Sequence, residues 1–265
     1  MSKIELDDIK LNYEVEGKGY PIVFIHGLAD KIEYWMPLTN DLKNDFKTIC
    51  FDLRGHGKTD LGNQTPDIDL YAKDLFDLLN YLNIKKATFV GLSLGGSIAM
   101  NFAIKYPNLC SKLVIMNSFS ELLPETIKIF DDLEKSLDLG YKEFCHEILP
   151  HSIPQEVYEE NRNIIEDTIK NDAKTVNIQG LISAMNACRN VSITNQLNEI
   201  NVPTLLISGK DDDFTSPAIQ HIISENIKDC KQVFIKNTKH NLLIEQNIDT
   251  LIKLIRNFEQ EHCSD

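Results

Sequence analysis

The stretch Gly91-Leu92-Ser93-Leu94-Gly95 constrains this chain more than any other. An apolar run over residues 87–90 stops at Gly91, and a helix-like run over residues 98–106 begins just past Gly96. The serine between them has glycine two positions before it and two positions after it. That is the G-x-S-x-G pattern of a sharp strand-to-helix turn that pushes one hydroxyl out of the backbone. The pattern has a steric logic. The serine is held at an unfavourable φ, and side chains at the flanking positions would collide across the turn. Small residues also recur wherever a helix packs tightly on a sheet, so it is the flanking strand and helix that favour a nucleophile here.

Around this turn the chain alternates between two periodicities. Residues 3–16 alternate loosely between polar and apolar and fit two short antiparallel strands. Residues 21–25 form an apolar run suited to a strand buried on both faces, and it leads into His26-Gly27-Leu28-Ala29. A helix that includes Tyr34 and Trp35 closes at Leu42. Residues 46–51 form another strand, ending at Asp52-Leu53-Arg54-Gly55-His56-Gly57. Leu70, Leu75, Leu78, Leu79 and Leu82 then recur at helical spacing, and residues 113–116 form a further buried strand. This is the rhythm of an α/β chain with a parallel, doubly wound sheet. It stops at residue 119. Residues 119–190 hold amphipathic helical stretches at 124–139, 154–170 and 173–188, with Pro124 suited to a first helical turn and Gly140 to a C-cap. Strand and helix alternate again from residue 203, through the strand at 231–235, to a last helix at 248–261. The expected organisation is a core of residues 1–118 and 191–265, split by a helical insertion of residues 119–190.

A serine hydroxyl is a weak nucleophile and needs a base within hydrogen-bond reach and a group that orients the base. For a serine on a strand-to-helix elbow, the expected chain order is Ser, acid, His. The first strand after the insertion ends in Gly209-Lys210-Asp211-Asp212-Asp213, and the loop after the next carries Asn237-Thr238-Lys239-His240. Loops at the carboxyl ends of parallel strands face one edge of the sheet, so three strands deliver Ser, Asp and His to one rim. His146, His151, His221 and His262 fall in helices or at helix ends. His56 lies in a glycine-rich turn, where a structural hydrogen bond is the simpler role. Spacing alone leaves Asp211, Asp212 and Asp213 open as the acid. An oxyanion also needs donors, each worth about 3 to 4 kcal/mol in the transition state. The backbone N–H of Leu94 and that of Leu28, after the Gly27 turn, are assigned that part.

Five stretches taken in order resemble the α/β-hydrolase-fold serine hydrolases. They are Phe24-Ile25-His26-Gly27, Asp52-Leu53-Arg54-Gly55-His56-Gly57, Gly91-Leu92-Ser93-Leu94-Gly95-Gly96, Pro203-Thr204-Leu205-Leu206-Ile207-Ser208-Gly209 and His240-Asn241-Leu242-Leu243-Ile244-Glu245. The resemblance implies a mostly parallel eight-stranded sheet with the insertion as a helical cap over the site. The family's strand-ending G-x-x-D places the acid on Asp212, and its late histidine falls on His240. The Asp-Leu-Arg-Gly-His-Gly segment is a scaffold turn in such proteins. No metal or organic cofactor is implied.

Within the family, haloalkane dehalogenases and epoxide hydrolases carry aspartate at the elbow, where this chain has serine. The elbow, together with Ile115-Met116-Asn117-Ser118, is similar to 3-oxoadipate enol-lactonases and small esterases. His26-Gly27 departs from those lactonases, and the acidic insertion suits an anionic lactone poorly. The glycine- and serine-rich stretch of carbon–carbon bond hydrolases is replaced here by Leu28-Ala29-Asp30-Lys31-Ile32-Glu33. The resulting expectation is hydrolysis of a small carboxylic ester or lactone through an acyl-enzyme on Ser93. Carbon–carbon cleavage, acyl transfer or a lyase reaction on the same triad, or a ligand receptor with little turnover, are the alternatives. Phe130, Leu133, Leu137, Ile164, Ile165, Leu181 and Met185 either line the pocket or pack among the inserted helices. Trp35 either walls the cleft or anchors its helix.

Bulk properties narrow the partners. The net charge of −13 argues against nucleic acid or an anionic membrane. Six cysteines are scattered singly, without the spacing of a disulfide framework. The chain's start lacks an apolar signal core, and no run approaches membrane-spanning length. A cytoplasmic protein acting on a small molecule, as monomer or homodimer, is the expectation.

Overall fold

The computed structural model describes residues 2–261, and one eight-stranded sheet runs through its centre. The strands are β1 (Ser2–Leu6), β2 (Ile9–Glu16), β3 (Pro21–Ile25), β4 (Lys47–Phe51), β5 (Ala87–Leu92), β6 (Cys110–Met116), β7 (Thr204–Gly209) and β8 (Cys230–Ile235). They lie side by side in the order β1-β2-β4-β3-β5-β6-β7-β8. β1 and β2 form an antiparallel hairpin, and β2 meets β4 antiparallel. All pairings from β4 across to β8 are parallel. The doubly wound, mostly parallel sheet expected from the alternation is the sheet observed.

Strand side chains alternate between faces, and both faces of this sheet are covered. Val23, Ile25, Phe89 and Ile115 point to the side packed by α2 (Ile68–Tyr81) and α3 (Leu94–Lys105). Ile22, Phe24, Val90 and Met116 point to the opposite side, where Leu38 and Leu42 of α1 (Met36–Leu42) pack. A single turn of 3-10 helix, Ile32–Trp35, leads into α1. Trp35 is fully buried against Phe24, with ring centroids 5.3 Å apart, so it anchors its helix.

Four helices fill the chain between β6 and β7: α4 (Pro124–Leu139), α5 (Tyr141–Ser152), α6 (Gln155–Asp172) and α7 (Ile178–Arg189). The only strand-like pairing there is an isolated bridge, Glu121 to Ser192, at the base of the segment. Pro124 starts α4, and Gly140, at φ 142°, caps it by donating to the Ser136 and Leu137 carbonyls. α5 was not among the expected stretches. It buries only Phe144 and carries Pro150 in its last turn. α7 begins at Ile178 rather than at residue 173, because the Asn177 side chain accepts from the Gly180 amide and sets the N-cap there.

After β7 come α8 (Pro217–Asn226) and α9 (Ile248–Glu261), the latter adding Leu251, Ile255 and Phe258 to the α1 side of the core. Cys50, Cys110, Cys145, Cys188 and Cys230 are free thiols. Cys263 and His262 lie outside the described residues. Among those described, no helix is long and apolar enough to cross a membrane.

The turn after β4 is held by a buried ionic network. Arg54 is 1% exposed and grips Asp74 of α2 through two hydrogen bonds, Nε at 2.9 Å and Nη2 at 2.8 Å. Its Nη1 donates to Asp8 in the β1–β2 turn at 2.6 Å. Burial opposes the Asp8 charge, but Arg54 and the amides of Asn63 and Gln64 outweigh it and hold this carboxyl well below the usual range. Removing one partner of such a network leaves the other charge buried alone. Arg54→Ala is therefore expected to lower the unfolding free energy by about 3–5 kcal/mol, read as a shifted midpoint in a urea titration.

Candidate active site

Ser93 stands alone between β5 and α3, at φ 53° and ψ −120°, a left-handed backbone that a side-chain-bearing residue rarely adopts. The helix starts at Leu94, earlier than the apolar run beyond Gly96 suggested. Gly95 lies inside its first turn because the helix sits directly on β3. A methyl group at Gly95 would overlap the Ile25 carbonyl, and one at Gly91 would overlap the Gly95 carbonyl. Two hydrogen bonds brace the elbow from β6. The Ser93 amide donates to the Met116 carbonyl at 2.9 Å, and Ser118 Oγ donates to the Ser93 carbonyl at 2.7 Å.

The loops after β7 and β8 meet beside it. His240 Nδ1 lies 2.9 Å from Asp212 Oδ2, so the Nδ1 proton is donated to the carboxylate and Nε2 is left with its lone pair. Asp212 is 2% exposed and accepts further bonds from the Phe214 amide (2.8 Å), the Thr215 amide (3.0 Å) and Thr215 Oγ1 (2.7 Å). Burial raises its pKa, but the His240 ring and the Thr215 donors overcome that and keep it below the usual carboxylate range. Asp211 and Asp213 are exposed, and Asp213 Oδ1 instead meets His151 Nδ1 at 3.0 Å. Of the three aspartates that spacing left open, Asp212 is the one that meets His240. The Phe214 ring packs against the imidazole with centroids 4.9 Å apart. Among the described residues no hydrogen bond joins the Ser93 hydroxyl to His240. Contacts of this kind commonly tighten only as substrate is held.

The loop after β3 comes up against the elbow, with a hypothetical Cβ on Gly27 only 3.3 Å from Ser93 Cβ. His26 fixes this loop from below. Its Nδ1 bonds the Gly27 carbonyl at 2.8 Å, and its Nε2 accepts the Leu53 amide at 2.9 Å. Ala29 takes φ 63°, which turns the chain back past Leu28. Leu94 supplies the first amide of α3, where helix amides have no partner within the helix. Leu28 lines the same cavity as Ser93, and Leu94 follows the serine in the chain. His56 is buried, with Nδ1 3.2 Å from the Arg54 carbonyl, and takes a structural place in its turn.

Ser93 and His240 open into one cavity of about 690 Å³ between the strand ends and the helical segment. Phe130, Ile164 and Ile165 line it as expected. Leu133, Leu137, Leu181 and Met185 do not; they are buried in the packing between the helices and the core. Tyr34, rather than its neighbour Trp35, faces the cavity. Asp30 lines it too, and burial together with Asp172 pushes its carboxyl up to about 7, against the opposing pull of His240 and Lys31. Among the described residues no group of three or more His, Cys, Asp or Glu side chains could hold a metal ion.

Comparison with known proteins fits this geometry. Residues 20–246 match the family described as the alpha/beta hydrolase fold. The chain belongs to the α/β-hydrolase family. A protein of Agrobacterium fabrum with the provisional name carbamate hydrolase RutD is 30% identical over 217 residues, covering 76% of this chain and 80% of that one. The 3-oxoadipate enol-lactonase 1 of Acinetobacter baylyi is 27% identical over 226 residues, covering 85% and 83%. In structure, the enol-lactonase of Burkholderia xenovorans superposes with a TM-score of 0.90 at 21% identity, over 98% of this chain and 100% of that one.

In this α/β hydrolase Asn117, part of the lactonase-like Ile115–Ser118 stretch, has a structural task of its own. Its side chain ties three loops together: Nδ2 donates to the Lys239 and His240 carbonyls at 3.0 and 2.8 Å, and Oδ1 accepts the Gly209 amide at 2.8 Å. A buried asparagine directly after an apolar strand was the available signal. Asn117→Ala is expected to cost about 2–3 kcal/mol of stability in urea titrations, since it strands a buried amide. It should also slow the reaction of Ser93 with acylating agents by loosening the histidine loop.

Two buried rings set an acid limit. Burial holds His26 at about 4, and burial plus the neighbouring His26 ring holds His56 at about 3. Both folded values are depressed, so the stability they contribute is present above the unfolded histidine value of about 6.5 and is lost as pH falls through the folded values. Unfolding free energy should therefore decline from about pH 6.5 downward, and ring NMR signals of both histidines should show no inflection between about pH 8 and about pH 5.

Proposed function

We propose that this α/β hydrolase cleaves a small carboxylic ester or lactone through an acyl-enzyme on Ser93. The observation that carries the proposal is the buried Asp212–His240 hydrogen bond of 2.9 Å, formed in the same cavity onto which the strained Ser93 elbow opens. A neutral imidazole with its Nδ1 proton committed to a carboxylate is a base at Nε2. His240 takes the Ser93 proton as Oγ attacks the carbonyl carbon. The Asp212 charge stabilises the resulting imidazolium, and its three other donors keep that charge in place at neutral pH. The Leu28 and Leu94 amides receive the oxyanion. His240 returns the proton to the departing alkoxide, and a water activated by the same ring hydrolyses the acyl-enzyme.

The enol-lactonase relatives support an ester or lactone over other acyl substrates, and the largely apolar cavity wall suits an organic acyl or alkyl group. The RutD-like relatives make carbamates the comparison substrates of choice.

A panel of short acyl p-nitrophenyl esters, lactones and carbamates tests the proposal. Ser93→Ala should lower kcat by about four or more orders of magnitude while leaving circular dichroism unchanged. Asp212→Asn should cost about 10⁴-fold in kcat, and Asp211→Asn and Asp213→Asn far less. Full turnover in Ser93→Ala would sink the assignment.

A further inference from the structure

Among the described residues, the carboxylates around the cavity have no lysine or arginine beside them in its lining. They are Asp30, Glu160, Asp172 and Glu245. Lys31, next to Asp30 in the chain, is not in the lining. Its Nζ is engaged by Asp172 Oδ1 at 2.5 Å. Glu160 and Glu245 are exposed and stand where water screens them, whereas Asp30 and Asp172 are half-buried.

Of the four lining carboxylates, Asp30 is the one the loop after β3 carries up beside the elbow. It follows the Gly27-Leu28 turn beside the elbow, and its Oδ2 comes within 3.6 Å of where a Gly27 side chain would begin. The rest of the wall is largely apolar, including Phe130, Phe144, Ile148, Ile165, Ile169 and Phe214. An anionic substituent entering this space would exchange water for hydrocarbon beside the Asp30 carboxylate, since Asp172 is paired with Lys31. A neutral one would lose little, and a cationic one would be attracted.

We infer that this cleft selects apolar esters that carry no negative charge, uncharged or cationic, and that Asp30 is the specificity-determining residue that rejects anionic substrates. This rests on the proposal that Ser93 is the nucleophile. An anionic lactone is accordingly a poor substrate. The raised pKa of Asp30, about 7, means that the discrimination grows as the carboxyl ionises above neutrality and fades below it. The groups facing Asp30 are His240, Lys31 and Asp172, with the Tyr34 and Tyr141 hydroxyls nearby.

Ligands that do not react allow the charge preference to be measured apart from catalysis. Calorimetric titration of the full chain with hexanol, hexanoate and hexyltrimethylammonium should show hexanoate binding about tenfold or more weakly than hexanol at about pH 8. In Asp30→Asn the hexanoate-to-hexanol affinity ratio should rise and the hexyltrimethylammonium-to-hexanol ratio should fall. A merely structural effect would weaken all three ligands together. The wild-type ratios should also shift between about pH 6 and about pH 8, and those of Asp30→Asn should shift less. Hexanoate binding as tightly as hexanol, or ratios unmoved by Asp30→Asn, would overturn the inference. Labelling by an uncharged fluorophosphonate, carried out in parallel, tests Ser93 separately. Failure to label there refutes the nucleophile, while the ligand ratios still decide the charge preference.

Discussion

The left-handed backbone at Ser93 is the constraint on which the rest of the site depends. A residue with a side chain is held at φ 53° only if its surroundings determine it from several directions, at a cost of about 1–3 kcal/mol. Here β5 ends at Leu92, α3 begins at Leu94, and the end of β6 (Met116) and Ser118 just beyond it tie down the amide and the carbonyl of the serine. The helix can start that abruptly because Gly95 lets its first turn rest on the Ile25 carbonyl. One close approach thus holds the serine between strand and helix and brings the His26–Asp30 loop against it. The parallel sheet does the rest, since its strand ends all open on one edge.

Much of this could be read from the sequence, and the parts that could not share a cause. Buried parallel strands declare themselves as apolar runs, and the elbow declares itself by glycine spacing. Serine, acid and histidine then follow in an order that the fold dictates. The choice among Asp211, Asp212 and Asp213 needed coordinates, because three adjacent loop aspartates differ only in direction. One faces His240, one faces His151, and one faces solvent. The inserted helices were harder still. On α4, Phe130 lines the cavity while Leu133, one turn on, is buried in the packing below, although both belong to the same apolar stripe. Helical periodicity says which face is turned inward, not whether a protein surface or an open cavity lies opposite. Asn117 and Asp30 stood in loops, where no period exists to mark them.

Asn117 shows how a single side chain can unify the rim. The ladder joins β6 to β7 and β7 to β8 only between neighbours, whereas the Asn117 amide, just past β6, bonds both to the end of β7 and to the histidine loop after β8. Buried amides of this kind are constrained at both ends, because an unmet donor or acceptor would be costly. The relative placement of Ser93, Asp212 and His240 is thereby set by buried hydrogen bonds rather than by loop packing alone.

The site also holds two aspartates that respond in opposite ways to partial removal from water. Asp212 is the more deeply buried, yet its pKa falls, because two amides, one hydroxyl and the His240 ring are aimed at its oxygens. At Asp30 burial prevails: with Asp172 it lifts the pKa to about 7, against the His240 ring, Lys31 and the single Gly27 amide. Environment alone separates their tasks. A carboxylate fixed in its charge can orient a base and balance an imidazolium through every step. A carboxylate only partly charged near neutrality is unsuited to that work, but it places a graded negative field where a substrate's tail must pass. In the reaction proposed above, the chemistry of the elbow and the choice of substrate thus fall to different carboxylates facing one histidine.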